Sequence, residues 1–310
     1  MKPFRFGANV LTAGSAAEWA GKARQLEDLG YSALLVPDHL TDRLAPMPAL
    51  VAAAAATKQL QVCTGVLNND FRHPVLVARE AATVDVLTDG RLQLGLGAGY
   101  VKSEYDQAGL PYARGATRVE RLAESVTIIK RLLEGEPVTF TGRHYRVTDH
   151  RIHPRPIQRP RPPIFIGGNG PQLLTLAARE ADIVGLTGIT FRAGGTEPDF
   201  SGWRLDVVAE RITLVRAVAG ERYERIELNA LLQRVIVTDD RRQAAQELTK
   251  RWKQLSADQI LASPYVLIGT VDQMVEDLEA RRRRWDISYY VTHEAYVDAL
   301  APVVARLAGK

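Results

Sequence analysis

Residues 60–100, LQVCTGVLNNDFRHPVLVAREAATVDVLTDGRLQLGLGAGY, decide the fold class of this chain. The apolar run 60–67 ends in the polar residues 68–70, a pattern typical of a buried strand that leads into a functional loop. Residues 74–88 then carry apolar side chains at helical spacing, and 91–97 form a second apolar strand. Because strand, helix and strand follow in this order, the stretch predicts a βαβ unit of a parallel sheet, with a ligand at the carboxyl ends of its strands.

Three glycines interrupt the second of these strands, at positions 95, 97 and 99. They lie on one face, since alternate residues of a strand point to the same side. A row of missing side chains indicates that another group approaches the backbone closely at this face.

Predicted strands and helices alternate through residues 1–310, with eight strands in total. This alternation predicts a single domain with an α/β fold, a (β/α)8 TIM barrel, and a doubly wound sheet is the alternative. Two helix boundaries are also predicted: Thr117-Arg-Val-Glu120 forms a capping box, and the C-terminal helix breaks near Pro302. The interruptions of the alternation are predicted as insertions, about 100–116, 136–162 and 187–202, of which the first and last are expected to form the substrate pocket.

The composition is that of a soluble globular enzyme, with 46% hydrophobic and 25% charged residues. A net charge of +4 argues against dedicated nucleic-acid binding but allows a local basic surface for an anionic ligand. Cys63 is the only cysteine, so an intrachain disulfide is excluded and a cytoplasmic location is expected. No apolar run approaches the ~20 residues that span a bilayer, and the N-terminal residues lack the apolar core of a signal peptide. The histidines of the basic segment 136–162 have no partners at ligand spacing, so no metal site is expected.

Gly167-Gly-Asn-Gly170-Pro171 lies between a predicted strand and a predicted helix. Four turn residues at this place leave backbone N–H groups free at the positive end of the helix dipole, which favours an anion or phosphate. The spacing is neither G-x-G-x-x-G nor a Walker loop. A tight βα turn without a ligand is the alternative.

Asp38-His39 follows a predicted buried strand, so a carboxylate and an imidazole are expected at the catalytic rim of the barrel. Histidine exchanges a proton near neutral pH, which suits acid–base chemistry. The alternative is a pair of loop residues that cap their neighbours. Gly65 within the preceding apolar stretch can mark a bulge beneath a flat ligand, with plain strand as the alternative. Cys63 is interpreted as a buried apolar residue.

Together these segments resemble the bacterial luciferase-like monooxygenase superfamily and, within it, the coenzyme F420-dependent oxidoreductases. The matching pieces span nearly the whole chain in the family's order. They are Pro37-Asp38-His39, Arg72-His73-Pro74, AREAATVDVLTDGRLQLGLGAGY at 78–100, Gly142-Arg-His-Tyr145, PPIFIGGNGPQLLTLAAREADIVGL at 162–186 and LIGTVDQMVEDL at 267–278.

The resemblance implies a TIM barrel that binds a flavin or deazaflavin across the carboxyl ends of its strands. Asp38 and His39 match the family's pair at the deazaflavin ring and are expected to be catalytic and to contact the cofactor. Gly65-Val66 falls where F420 enzymes carry a non-prolyl cis peptide behind the ring. The other implied cofactor-binding residues are Asn68 at the ring edge, with Ala98, Gly99, Gly167, Gly168, Asn169 and Gly170 on the cofactor's side chain and phosphate.

The function implied is an F420-dependent oxidoreductase that transfers a hydride to or from a small organic substrate, with His39 as the proton partner. Some F420 sugar dehydrogenases carry a catalytic glutamate where this chain has Tyr100, and this departure argues against a sugar phosphate substrate. The alternatives are an FMN-dependent monooxygenase on the same barrel and a non-catalytic barrel that binds a flavin. The resemblance also suggests a homodimer, with no nucleic-acid or membrane partner.

Overall fold

Eight parallel strands close into a barrel in the computed structural model, which describes residues 1–192 and 195–310. All strands, in chain order, are β1 (Arg5–Asn9), β2 (Ala33–Val36), β3 (Gln61–Thr64), β4 (Leu67–Asn68), β5 (Leu92–Gly97), β6 (Val138–Thr141), β7 (Arg146–His150), β8 (Ile164–Gly167), β9 (Ile183–Leu186), β10 (Thr190–Arg192), β11 (Glu197–Asp199), β12 (Glu227–Leu232), β13 (Arg234–Val237), β14 (Val266–Gly269) and β15 (Ile287–His293). Around the barrel the order is β3, β2, β1, β15, β12, β9, β8 and β5, and β5 pairs with β3 to close the ring. The predicted TIM barrel is confirmed.

The helices surround the barrel, and most of them connect one barrel strand to the next. They are α1 (Ala16–Asp28), α2 (Pro46–Ala55), α3 (Pro74–Leu87), α4 (Lys102–Gln107), α5 (Gly115–Glu134), α6 (Pro171–Glu180), α7 (Leu205–Ala219), α8 (Arg241–Arg251), α9 (Ala257–Ala262), α10 (Val271–Trp285) and α11 (Val297–Leu307). Short 3-10 turns lie at Asn69–Phe71, Ser201–Trp203, Gly220–Arg225 and Glu294–Tyr296. Among the described residues, no helix combines the length and the apolar character that crossing a membrane requires.

The barrel interior is filled by a small apolar cluster that includes Leu35, Cys63, Phe165 and Tyr289. Its amino-terminal end is closed by polar contacts, since Arg5 donates to Glu227 at 2.5 Å. Burial raises the pKa of the Glu227 carboxyl, although the neighbouring positive charge of Arg5 opposes this shift. With this end closed, only the carboxyl ends of the strands can receive a ligand, as in other barrels of this kind.

Helix ends follow local signals in most cases. The side chain of Ser15 caps α1, and the side chain of Thr270 forms a capping box at α10. The predicted capping box at Thr117 is wrong, because α5 begins two residues earlier, at Gly115. Arg118 of its first turn donates to the Gly99 carbonyl at 3.1 Å, which fixes this end of the helix against the loop after β5.

The predicted break near Pro302 is also wrong, because α11 runs through Pro302 without interruption. Proline removes one backbone hydrogen bond from a helix interior, so other interactions must hold the turn. The buried face of α11, with Leu300, Val303 and Val304, packs into the main core and supplies them.

The three predicted insertions contain secondary structure of their own. The segment 100–116 holds α4, and 136–162 holds the hairpin of β6 and β7. In 187–202, β10 pairs with β11, while Ala193 and Gly194 lie outside the described residues. The sequence did not predict α9 or β14, because both are short and lie in the stretch between α8 and α10.

Candidate functional site

The glycines of β5 make room for the chain's own neighbouring strand. A Cβ at Gly95 would lie 1.9 Å from the Thr64 carbonyl oxygen, and one at Gly97 would lie 2.6 Å from Cγ2 of Val66. The predicted close approach is therefore confirmed, and the approaching group is the end of β3. Gly65-Val66 is a cis peptide bond, which confirms what the family resemblance implied.

Val66 and Gly167 meet at the mouth of the barrel. A Cβ at Gly167 would lie 3.5 Å from Cγ1 of Val66, so β8 ends beside the segment that follows β3. Gly99 has a φ of +72°, and a Cβ there would meet the Tyr105 hydroxyl at 2.1 Å. Ala98, which precedes it, packs against the main core. The structure thus brings the ends of β3, β5 and β8 together around one concave surface.

Asp38 lies buried at the end of β2, in a double contact with Arg72. Its Oδ2 and Oδ1 atoms accept from the Arg72 guanidinium at 2.5 Å and 3.0 Å. Oδ2 also accepts the backbone N–H of Asn68 at 2.9 Å. The carboxylate therefore joins the loop after β2 to the loop after β4, and both of its oxygens are already used.

His39 is held by Glu104, a residue of the predicted insertion 100–116 that no signal in the sequence singles out. The His39 Nδ1 atom lies 2.8 Å from Oε1 of Glu104, and the Glu104 side chain is only 5% exposed, against 24% for His39. An ionised carboxylate can only accept, so Nδ1 is the donor in this contact, and Nε2 is the second ring nitrogen that can exchange a proton. Among the described residues Nε2 has no hydrogen-bond partner, which leaves it available to a ligand.

Tyr100 lies beside this pair. Its ring contacts the edge of the His39 ring at a centroid distance of 5.9 Å and stacks on Phe191 at 4.8 Å. Phe191 belongs to β10, so the insertion after β9 reaches over to the insertion after β5. The aromatic contacts form one wall of the mouth and bring the two insertions together, as predicted for a pocket.

Asn68 is fixed by its neighbours. Its Oδ1 accepts from the Tyr105 hydroxyl at 3.0 Å and from the backbone N–H of Asp70 at 3.1 Å. Asp70 in turn pairs with Arg121 of α5 at 2.8 Å. Burial raises the pKa of Tyr105, so its hydroxyl stays protonated and donates. The loop after β4 is therefore rigidly held at the place where the cofactor ring edge was expected.

The Gly167–Gly170 turn has a structural part and an open part. Asn169 is buried, and its side chain donates to the Thr187 hydroxyl at 2.5 Å and to the Ile189 carbonyl at 2.7 Å. Its Oδ1 accepts the Gly188 N–H at 3.0 Å, so this side chain fastens the next loop. At Gly170, by contrast, a Cβ would have no atom within 4 Å, and the free N–H groups of α6 begin there. The contacts of Asn169 agree with the interpretation as a tight βα turn, and the phosphate site stays a prediction.

Asn9 is a polar residue of the barrel mouth that sequence reasoning missed. Its Oδ1 is buried and has no hydrogen-bond partner among the described residues. A Cβ at Gly65 would lie 3.3 Å from this oxygen. A buried acceptor without a donor is costly unless a ligand supplies one, so Asn9 fits a ring that carries an N–H group. Its position at the end of an ordinary apolar strand gave no signal in the sequence.

A cleft of about 280 Å³ opens at the carboxyl ends of β12 and β15. Gln233 and His293 lie on its strand side, and Ile189 and Phe200 border it from the insertion 187–202. Of the two insertions expected to form the substrate pocket, 187–202 contributes these two residues to the cleft and 100–116 contributes none of the residues that line it. Within the described ranges, no group of three His, Cys, Asp or Glu side chains could hold a metal ion.

Sequence comparison relates the chain to enzymes of one kind. The family model of luciferase-like monooxygenases matches residues 1–287. The F420-dependent glucose-6-phosphate dehydrogenase of Nakamurella multipartita is 31% identical over 263 residues, which cover 82% of this chain and 74% of that protein. The enzyme of the same name from Microbacterium testaceum is 38% identical over 164 residues, covering 50% of this chain and 48% of that protein. The match thus spans about half the length of this second relative.

Structural comparison agrees with the barrel. The F420-dependent tetrahydromethanopterin reductase from Methanopyrus kandleri superposes with a TM-score of 0.75 over 99% of this chain and 98% of that chain. Its sequence is 18% identical, so this likeness establishes the fold and leaves the activity to other observations.

Proposed function

The chain belongs to the luciferase-like monooxygenase family, and on this premise we propose that it is an oxidoreductase that transfers a hydride between coenzyme F420 and a small organic substrate. The observation that carries the proposal is the partly buried hydrogen bond between His39 and Glu104 at the barrel mouth, which leaves Nε2 of His39 without a partner among the described residues. An imidazole fixed in this way can give or take the proton that accompanies hydride transfer.

Coenzyme F420 fits the residues at the mouth. Asn9 offers the unpaired acceptor for a ring N–H, and Asn68 borders the ring from the loop after β4. The open N-terminus of α6 at Gly170 suits the phosphate of the cofactor's side chain. The remaining residues that would hold the cofactor are Gly65, Val66, Ala98, Gly99, Gly167, Gly168 and the backbone of Asn169. When bound, F420 supplies the carbon that gives or accepts the hydride.

His39 acts as the proton partner, and the other two residues position it. Glu104 accepts from Nδ1 and so presents Nε2 to the substrate, and it stabilises the imidazolium that forms when Nε2 takes a proton. Asp38 was expected to be catalytic, but both of its oxygens hold Arg72 and the Asn68 N–H. We therefore assign Asp38 a positioning role in the loops that carry His39 and Asn68.

An FMN-dependent monooxygenase is the second candidate, because the matched family model is that of luciferase-like monooxygenases. The basic segment 136–162 bears less on this choice than its charge suggests. Arg143 contacts Glu120, and Arg161 contacts Glu134 and Asp182. These two arginines are already paired within the chain and add little attraction for a polyanionic tail, whereas Arg146 and Arg151 of the same segment make no ion pair among the described residues.

Turnover in the absence of oxygen tests the proposed reaction. Oxidised F420 would be offered a panel of alcohols and reduced F420 a panel of enones and imines, with F420 fluorescence as the signal. We expect oxygen-free turnover with at least one member, since hydride transfer needs no other reactant. Conversion that requires both FMN and oxygen would refute the proposal and support the monooxygenase. F420 binding without turnover on an extended panel would support a non-catalytic barrel.

We also assign the chain to the cytoplasm, which its single cysteine favours, and to a homodimer that acts on small molecules. Light scattering coupled to size-exclusion chromatography measures the oligomeric state directly. A mass of about 34 kDa for the purified protein would identify a monomer and remove the dimer assignment.

A further inference from the structure

The cleft at the ends of β12 and β15 carries positive charge that the chain leaves uncompensated. Arg234 and Arg251 both line it, and neither makes an ion pair with a carboxylate among the described residues. Two unpaired guanidinium groups at one cleft favour an anionic ligand.

The electrostatic environment of the cleft agrees with this reading. Burial lowers the pKa of Arg234, and the positive charge of Arg251 lowers it further. The pKa of His293 is lowered first by burial and then by the charges of Arg234 and Arg43. Arg43 extends the positive region toward the loop after β2, and its Nε atom is buried without a partner among the described residues. An anion in the cleft would relieve the repulsion among these groups.

The cleft also has an apolar and aromatic lining. Phe200 and Trp252 are almost fully buried, and their rings lie 5.8 Å apart between centroids. The Arg234 guanidinium lies over the Tyr296 ring at 5.4 Å, which holds its charged group at the cleft. A ligand that fits here combines a charged group with an apolar or flat body.

The cleft adjoins the expected position of the cofactor ring. His293 on its strand side pairs in register with Asn9 of β1. The Oδ1 of Asn9 in turn lies against Gly65, whose Cβ would be 3.3 Å away. Ile189 of the cleft also lies two residues before Phe191, which stacks on Tyr100 beside His39. A molecule anchored in the cleft can therefore extend toward His39.

We propose that this cleft binds the substrate through an oxyanion, a carboxylate or phosphate, held by Arg234 and Arg251, with the apolar part of the substrate against Phe200 and Trp252. The proposal rests on the proposed function, because it assigns this cleft to the hydride donor or acceptor. It narrows the substrate to organic acids or phosphate esters. Neutral alcohols and ketones of similar size then bind poorly.

Calorimetric titration of the purified full chain with benzoate and, separately, with inorganic phosphate tests the proposal. The variants are Arg234→Gln and Arg251→Gln, and the matched control is Arg242→Gln. Arg242 lies on the same helix as Arg251, is exposed, and pairs with Asp258 outside the cleft. We expect saturable binding of at least one anion, weakened about 10- to 100-fold by either cleft variant, the range for loss of one charged hydrogen bond. The control should bind like the unchanged protein, and preference for one anion separates the carboxylate from the phosphate reading.

Titration of the same variants with F420 separates the two proposals. Unchanged F420 affinity with weakened anion binding supports the cleft assignment. Weakened F420 affinity in Arg251→Gln would indicate that these arginines bind the cofactor's tail, and it would overturn the cleft assignment. The cleft assignment would also be overturned by saturable anion binding that neither variant alters. The absence of saturable anion binding would overturn it as well. Arg251 is exposed, so this variant should fold normally even if Arg234→Gln does not. If the protein binds anions through these arginines but does not bind F420, the anion site is supported and only the proposed function is refuted.

Discussion

Replacement of Glu104 by glutamine tests how the His39 imidazole is held. The substitution keeps the size of the side chain and an oxygen that can accept from Nδ1, 2.8 Å away, but removes the charge. A hydrogen bond to a charged group contributes about 1.5–3 kcal/mol and a neutral one about 0.5–1.5 kcal/mol. The expected loss of about 1–2 kcal/mol corresponds to about 5- to 30-fold in kcat, because the charge acts on the imidazolium formed during turnover.

The assay separates turnover from cofactor binding. Steady-state kcat is measured with the best substrate, and the Kd for F420 is measured by fluorescence. We expect a lower kcat for Glu104→Gln and a Kd within about twofold, since the buried carboxylate of Glu104 contacts His39 and is assigned no role in holding the cofactor. Asp106→Asn is the matched control, because Asp106 lies on the same helix and pairs with Lys102 at the surface.

A double-mutant cycle gives the result that would refute this reasoning. His39→Ala should itself lower kcat more than it lowers F420 affinity. If Glu104 acts only through His39, adding Glu104→Gln to His39→Ala changes kcat little further. An equal loss in both backgrounds, or an unchanged kcat for Glu104→Gln alone, would show that the hydrogen bond between His39 and Glu104 does not serve turnover.

Three further predictions concern stability and its dependence on pH. Gly95→Ala puts a Cβ 1.9 Å from a backbone oxygen of the neighbouring strand, so urea denaturation should show a free energy of unfolding that is lower by at least about 2 kcal/mol. Gly21→Ala is the control, because it lies in open space within α1 and should raise the free energy of unfolding by up to about 1 kcal/mol. Asp38→Asn removes the charge that Arg72 contacts, and we expect a loss of about 2–3 kcal/mol in the same measurement together with a lower kcat; unchanged stability would contradict the anchoring role. Because the pKa of His293 is lowered in the folded protein, the unfolded chain protonates this imidazole first as the pH falls. The free energy of unfolding should therefore decrease as the pH drops below 6.5, and this decrease should be smaller in His293→Gln. Identical pH profiles for the two proteins would contradict a lowered pKa of His293.

The barrel could be predicted because its signals are local. The stretch 60–100 contains a complete βαβ unit, and the α/β alternation continues on both sides of it. His39 could be placed at the barrel mouth for the same reason, since the carboxyl end of a barrel strand is read directly from the apolar run that precedes it. The break at Pro302 was wrong because the tertiary packing of α11 outweighs the lost hydrogen bond.

The partners within the site could not be predicted, because they are set by contacts between distant residues. Glu104 lies 65 residues from His39, and nothing in its surroundings on α4 distinguishes it from an exposed glutamate. The glycines of β5 correctly indicated a close approach, but only the folded chain identifies the approaching group as the end of β3. Arg234 and Arg251 likewise look like ordinary charged residues until the cleft brings them together.

A titration of the purified apo-protein with F420 and, separately, with FMN, followed by fluorescence, tests the central claim most directly. We expect saturable F420 binding that is tighter than FMN binding, because the relative that is 31% identical over 82% of this chain is named for F420 dependence. Tighter FMN binding would contradict the account and indicate an enzyme that uses flavin and oxygen. Binding of neither compound would leave the barrel as described and refute the cofactor assignment.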